Sequence, residues 1–124
     1  MLCFSLKNGE RNMQFYEPTA NDDATIESVI KQPGKQVMFL QADWCGDCKA
    51  IKPFVQQFKD AVTDGGANWV DADRDANLAI AQEQGLMGIP AFVLFEDGQQ
   101  VAHVGNGERL NPKDVQNWIN EYVG

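Results

Sequence analysis

A continuous apolar run, Val37-Met38-Phe39-Leu40, gives way shortly to Trp44-Cys45-Gly46-Asp47-Cys48-Lys49, after which apolar residues recur every three or four positions. Continuous apolar residues are what a strand covered on both faces requires. The later spacing of Ile51, Phe54, Val55, Phe58 and Val62 is that of a helix with one stripe turned toward a sheet. Together they call for helices packed on a sheet, with a cysteine pair at the strand-to-helix junction. A helix that begins beside Cys45 aims unpaired backbone N–H groups and a partial positive charge at its sulfur. Such settings favour thiolate, the species that attacks disulfides, and lower a thiol's pKa from ~8.5 toward ~7 or below.

The rest of the chain supplies the other layers. Residues 13–17 read as a first, edge or near-edge strand, with Met13, Phe15 and Glu17 on one face and Gln14 and Tyr16 on the other. Asn21-Asp22-Asp23 offers cap chemistry to a helix carrying Ile26, Val29 and Ile30, which Pro33-Gly34 ends. Pro53 removes one backbone donor inside the cysteine-bearing helix and should bend it, and Gly65-Gly66 stops it. Trp69 to Ala72 is expected as a strand and Asp75 to Gln84 as a short helix. Ala91 to Phe95, the turn signal Glu96-Asp97-Gly98-Gln99, and Val101 to Val104 predict an antiparallel hairpin. Asn111 and Pro112 open a final helix whose buried stripe is Val115, Trp118, Ile119 and Tyr122. The order predicts an α/β domain with a central mixed five-stranded sheet and four helices over both faces.

A chain of 124 residues fits one such domain, here 13–124, with residues 1–12 as a loose extension and Met13 as an alternative functional start. The net charge of −8, with basic residues scattered, argues against nucleic acid and anionic membrane surfaces as partners. No apolar stretch approaches the ~18 to 20 residues that span a bilayer, and Leu2 to Leu6 is too short for a signal-peptide core. A cytosolic monomer is expected. Cys45 and Cys48 form a pair, and Cys3 is left over as a spectator. The same pair could be half of a structural zinc site, but such sites take four ligands and only Cys3 and His103 remain as soft or imidazole donors. Neither metal nor cofactor is expected. Asp71, Asp73 and Asp75 lack the glycine and terminal glutamate of a calcium loop and read as a solvated strand-to-helix connection, with Asp75 as a helix cap.

The chain resembles the thioredoxin family over residues 13–123. The resemblance rests on Ala42-Asp43-Trp44-Cys45-Gly46-Asp47-Cys48-Lys49, on Pro53, and on Gly88-Ile89-Pro90 just before the Ala91 strand. It implies a thioredoxin fold and thiol–disulfide exchange with protein substrates, recharged by a thioredoxin reductase or a similar donor. By resemblance Cys45 is the attacking thiolate and Cys48 the resolving thiol. The resemblance further implies that Pro90 follows a cis peptide bond and faces the cysteines, and that the backbone of Ile89 receives an extended substrate by strand addition. Trp44, Gly46, Asp47 and the loop at Gly105 complete the implied substrate surface.

Three positions depart from the family pattern. Asp47 stands where the commonest motif has proline, Phe39 where thioredoxins bury an aspartate thought to relay protons to the resolving thiol, and Ala91 where a threonine follows the cis-proline. The lysine partner of that buried aspartate falls at Trp69. With Phe39 in place, Asp47 or water is the nearest proton acceptor for Cys48 by sequence. A carboxylate at 47 is also expected to disfavour thiolate at Cys45 and make the pair more reducing. A non-catalytic module that docks one dedicated partner through Trp44, Ile89 and the Gly105 loop is the alternative to a disulfide reductase.

Overall fold

The computed structural model describes residues 16–86 and 88–123. Helix α1 (Asp23–Ile30) is followed by β1 (Lys35–Gln41), α2 (Gly46–Asp64), β2 (Asn68–Asp73), α3 (Leu78–Glu83), β3 (Ala91–Glu96), β4 (Gln99–Val104) and α4 (Pro112–Tyr122). The strands form one mixed sheet in the order β2-β1-β3-β4. β1 runs parallel to β2 and antiparallel to β3, and β3 is antiparallel to β4. Central position explains composition: Gln36 through Gln41 of β1 and Ala91 through Phe95 of β3 are buried without a break, whereas β4 at the edge alternates and leaves Val101 exposed.

Two apolar clusters lie on opposite faces of this sheet. One joins Ile26 and Ile30 of α1 and Ile80 of α3 to Met38, Leu40, Val93 and both cysteines. The other joins Ile51, Val55, Phe58 and Val62 of α2 and Val115, Trp118 and Ile119 of α4 to Val37, Phe39, Phe92 and Leu94. Adjacent residues of one strand point to opposite faces, so β1 feeds both clusters alternately.

The architecture is the expected α/β fold, with four strands instead of five among the described residues. Of the expected first strand, residues 13–15 lie outside the described residues, and Tyr16 and Glu17 are coil. Tyr16 is held by its side chain: its phenol donates to Asp71 Oδ2 at 2.8 Å, while its backbone N–H donates to the Lys52 carbonyl at 3.2 Å. The readings of residues 1–12, of Cys3 and of a start at Met13 also fall outside the described residues.

Other boundaries moved for local reasons. Asp22 caps α1 through Thr25 N–H, and Asn111 caps α4 with Pro112 in its first turn, both as read. Helix α3 begins at Leu78 because the Asp73 carboxylate accepts the N–H groups of Asp75 and Ala76 and keeps residues 74–77 in a turn. Phe54 and Tyr122, expected in buried stripes, are exposed at 38% and 40%. Phe54 lies on the flank of a stripe that Ile51, Val55, Phe58 and Val62 already fill, and Tyr122 is in the last turn of its helix. The hairpin turn at Asp97-Gly98 has positive φ at both residues, the backbone of a tight hairpin that follows strand twist.

Candidate active site

Helix α2 starts one residue after Cys45, so Cys45 is its N-cap. N-cap side chains accept from the free N–H groups of the first turn, a position usually held by oxygen. Here a sulfur takes it: Cys45 Sγ accepts the Cys48 N–H at 3.1 Å and lies 4.0 Å from the Ile89 carbonyl oxygen, to which the thiol donates weakly. A helix N-terminus stabilises nearby negative charge by about 0.3–1 kcal/mol when exposed and up to ~2 kcal/mol when partly buried. Both cysteines are free thiols; Cys45 retains 7% exposure and Cys48 none. Burial, followed by its contact with Cys45, pushes the Cys48 thiol up from 9.0 to about 12.

The other sequence-derived residues gather around this pair. Trp44 is 63% exposed, and its indole N–H donates to Asp75 Oδ2 at 2.6 Å. Asp75 therefore orients Trp44 and does not cap α3, whose N-cap position is Asn77. Gly46 opens α2 at the surface with open space about its missing side chain. The Ile89–Pro90 bond is cis, and both residues are buried next to the cysteines' cluster, which includes Ile89. Gly105 has φ +97, and a Cβ there would run into the Pro90 carbonyl oxygen; a Cβ on Gly88 would run into the backbone of Asn106 and Gly107. Backbone thus packs directly on backbone between the 88–90 segment and the 105–107 loop.

Asp47, in the first turn of α2, is paired with a cation. Its Oδ1 is 3.3 Å from Arg109 Nε, in an ion pair that is partly exposed on both sides. Its carboxylate is thereby engaged by a cation from the loop after β4. This placement weakens Asp47 as the acceptor of the Cys48 proton, since the guanidinium competes for the same oxygen. Arg109 carried no signal in the sequence, because it lies 62 residues from its partner.

Phe39 is fully buried and stacked on Phe92 with ring centroids 4.8 Å apart, while Phe58 meets Phe92 edge-on at 5.6 Å. The position is filled by an aromatic cluster on the sheet face opposite the one that buries the cysteines. The parallel register sets Asp71 opposite Phe39, and Trp69, at the family's lysine position, lies against Phe39 with ring centroids 6.0 Å apart. Asp71 is also not solvated: it is 3% exposed and accepts from Tyr16 Oη, Thr19 N and Trp69 Nε1. The Tyr16 hydroxyl is held well above the ordinary tyrosine value, first by burial and then by its bond to Asp71. Asp71 was missed because alternating aspartates after a strand look the same whether they are paired or hydrated.

Among the described residues no group of three or more histidine, cysteine, aspartate or glutamate side chains could hold a metal, and His103 is on the exposed side of β4. A dithiol with one sulfur at the mouth of a helix, on a residue that keeps 7% exposure, and a second that is fully buried suits exchange with an external disulfide.

A family model described as Thioredoxin matches residues 17–121. Thioredoxin-1 of Schizosaccharomyces pombe is 32% identical over 84 residues, covering 68% of this chain and 80% of the relative. Thioredoxin Asp f 29 of Aspergillus fumigatus is 35% identical over 97 residues, 78% of this chain and 86% of the relative. Among solved structures, oxidised mitochondrial thioredoxin 3 from Saccharomyces cerevisiae superposes with a TM-score of 0.65 at 31% identity, covering 79% of this chain and 88% of its own. The thioredoxin of Malassezia sympodialis does so with a TM-score of 0.74 at 25% identity, over 90% and 94%.

Proposed function

The chain belongs to the thioredoxin family and is a thiol–disulfide oxidoreductase, and from that premise we propose that Cys45 attacks a protein disulfide and Cys48 resolves the product. Cys45 thiolate attacks one substrate sulfur, forms a mixed disulfide and displaces the other sulfur. Cys48 thiolate then attacks Cys45 Sγ; the Cys45–Cys48 bond forms, the bond to substrate breaks, and the second substrate sulfur leaves. Two electrons pass to the substrate, and two protons end on its thiols. The observation that carries this reading is the Cys48 N–H bond to Cys45 Sγ at the mouth of α2.

The substrate lies extended along the Ile89 backbone beside Pro90, walled by Trp44 and bordered by Gly46, Asp47 and the Gly105 loop. The exposed indole, held by Asp75, suits partner contact. Clients are disulfide-bearing proteins, and a thioredoxin reductase or similar donor restores the dithiol. The net charge of −8 supports protein clients over nucleic acids or anionic membranes. No helix among the described residues is long and apolar enough to cross a membrane. We propose, from the sequence reading, a cytosolic monomer.

Insulin reduction driven by dithiothreitol tests the assignment. Wild type should accelerate precipitation of the reduced chains, and both Cys45→Ser and Cys48→Ser should lose the acceleration. Undiminished turnover by either variant would refute the two-cysteine cycle. A wild type without turnover would favour the partner-dedicated module, the reading to which Phe39 lends support by standing, fully buried, where the family has an acid.

A further inference from the structure

The structure buries a lysine beside the resolving cysteine. Lys52 is 8% exposed, although it carries a charge, and it follows Cys48 by four residues on the inward side of α2. Residues at this spacing are neighbours on a helix face, with Cβ atoms about 5–6 Å apart. A buried ammonium is retained only where something answers its charge. Its one carboxylate partner within 4 Å among the described residues is Asp43, at 3.8 Å, and the Asp43 side chain is 91% exposed. So long and wet a pair contributes little.

The remaining groups near this face do not answer the charge either. Phe39 of β1 is apolar, and the buried carboxylate on the neighbouring strand, Asp71, is already occupied by the Tyr16 phenol, the Thr19 N–H and the Trp69 indole. Asp47 is paired with Arg109, and Lys49 is exposed on the outer side. What is left is Cys48, paired through its backbone with Cys45.

We propose that Lys52 is a positioning residue that acts through Cys48: its ammonium stabilises the resolving thiolate, a need that Phe39 leaves unmet. The proposal rests on the Cys45/Cys48 assignment above. Lys52 keeps its own proton throughout; the proton of Cys48 ends, in net terms, on the departing substrate sulfur. Burial and then Cys45 oppose ionisation of Cys48, while the backbone at Ala42 and, after it, the Lys52 charge favour it. A lysine at this spot thus lowers the cost of the second step without touching the first.

The full-length reduced protein is mixed with the aromatic disulfide 5,5′-dithiobis(2-nitrobenzoate), and release of coloured thiolate is followed from acid to alkaline pH. Attack by Cys45 releases the first equivalent and resolution by Cys48 the second. Lys52→Met should leave the first release unchanged and move the midpoint of the second upward by about one pH unit, about tenfold slower at neutral pH. Lys52→Arg should restore the wild-type profile, and Asp43→Asn, which frees the ammonium, should move the midpoint downward. A second-step profile indifferent to Lys52→Met and Asp43→Asn, or displaced equally by Met and Arg, would overturn the role of Lys52 alone. A wild type that releases no second equivalent would instead overturn the Cys45/Cys48 assignment.

Discussion

At the residue scale the chemistry turns on a sulfur in a position that normally belongs to an oxygen. As N-cap of α2, Cys45 meets the first-turn N–H of Cys48, and this follows from local order alone: strand, short turn, Cys-x-x-Cys, amphipathic helix. That much was legible in the sequence. The surroundings of Asp47 were not, because Arg109 reaches it from a loop distant in the chain. The ion pair makes the effect of Asp47 conditional. Removing Arg109 by an alanine substitution should expose the Asp47 charge, disfavour thiolate and make the dithiol more reducing, by no more than ~30 mV, a tenfold change in equilibrium. Asp47→Asn should move the potential the other way. Equilibration of each variant with glutathione buffers reads both, and shifts of the same sign would show that Asp47 does not act through charge.

At the element scale, two contacts hold the site's walls in place. The 105–107 loop meets the Gly88-Ile89-Pro90 segment backbone to backbone, a closeness that Gly105 permits both by lacking a Cβ and by its positive φ. Gly105→Ala should destabilise the protein by at least about 2 kcal/mol and reduce insulin turnover, since the loop must lift from Pro90 to make room. Urea unfolding measures the first effect, and an unchanged midpoint would mean that the loop relaxes freely. On the sheet face opposite the cysteines' cluster, β1 contributes Phe39 to the aromatic cluster with Phe92 and Phe58. Restoring the family's acid as Phe39→Asp should therefore cost more than about 4 kcal/mol, from lost packing and a buried carboxylate without a partner. A stable, active variant would show that this cluster can accept a charge. The strand and helix stripes around these contacts were readable from periodicity. The anchoring of Asp71 by Tyr16 and Thr19 was not, since those residues lie 55 and 52 positions away in the chain.

At the scale of the whole molecule, one mixed sheet with an apolar cluster on each face presents the α2 terminus, the cis-proline segment and the Gly105 loop together at one end. Topology made this convergence predictable once the order of elements was known; the strand count among the described residues is four because Tyr16 and Glu17, read as the end of a first strand, are coil. Burial of ionisable groups also makes stability depend on pH. The folded state holds Cys48 near 12 against its ordinary 9.0, so the unfolded chain loses that proton first as pH rises. The contribution is complete below about pH 9 and is lost as pH climbs toward 12, at most ~1.4 kcal/mol per pH unit. Tyr16, shifted the same way, adds to the loss. Urea titrations of the reduced protein should show this alkaline decline, and Cys48→Ala should show a shallower one. Identical slopes would place the loss elsewhere. The division of labour between the two sulfurs is tested most directly by mass mapping of the adducts that Cys48→Ser and Cys45→Ser form with a disulfide-bearing protein. Cys48→Ser is expected to accumulate a mixed disulfide at Cys45, and Cys45→Ser none; an adduct at Cys48 in comparable yield would contradict the assignment.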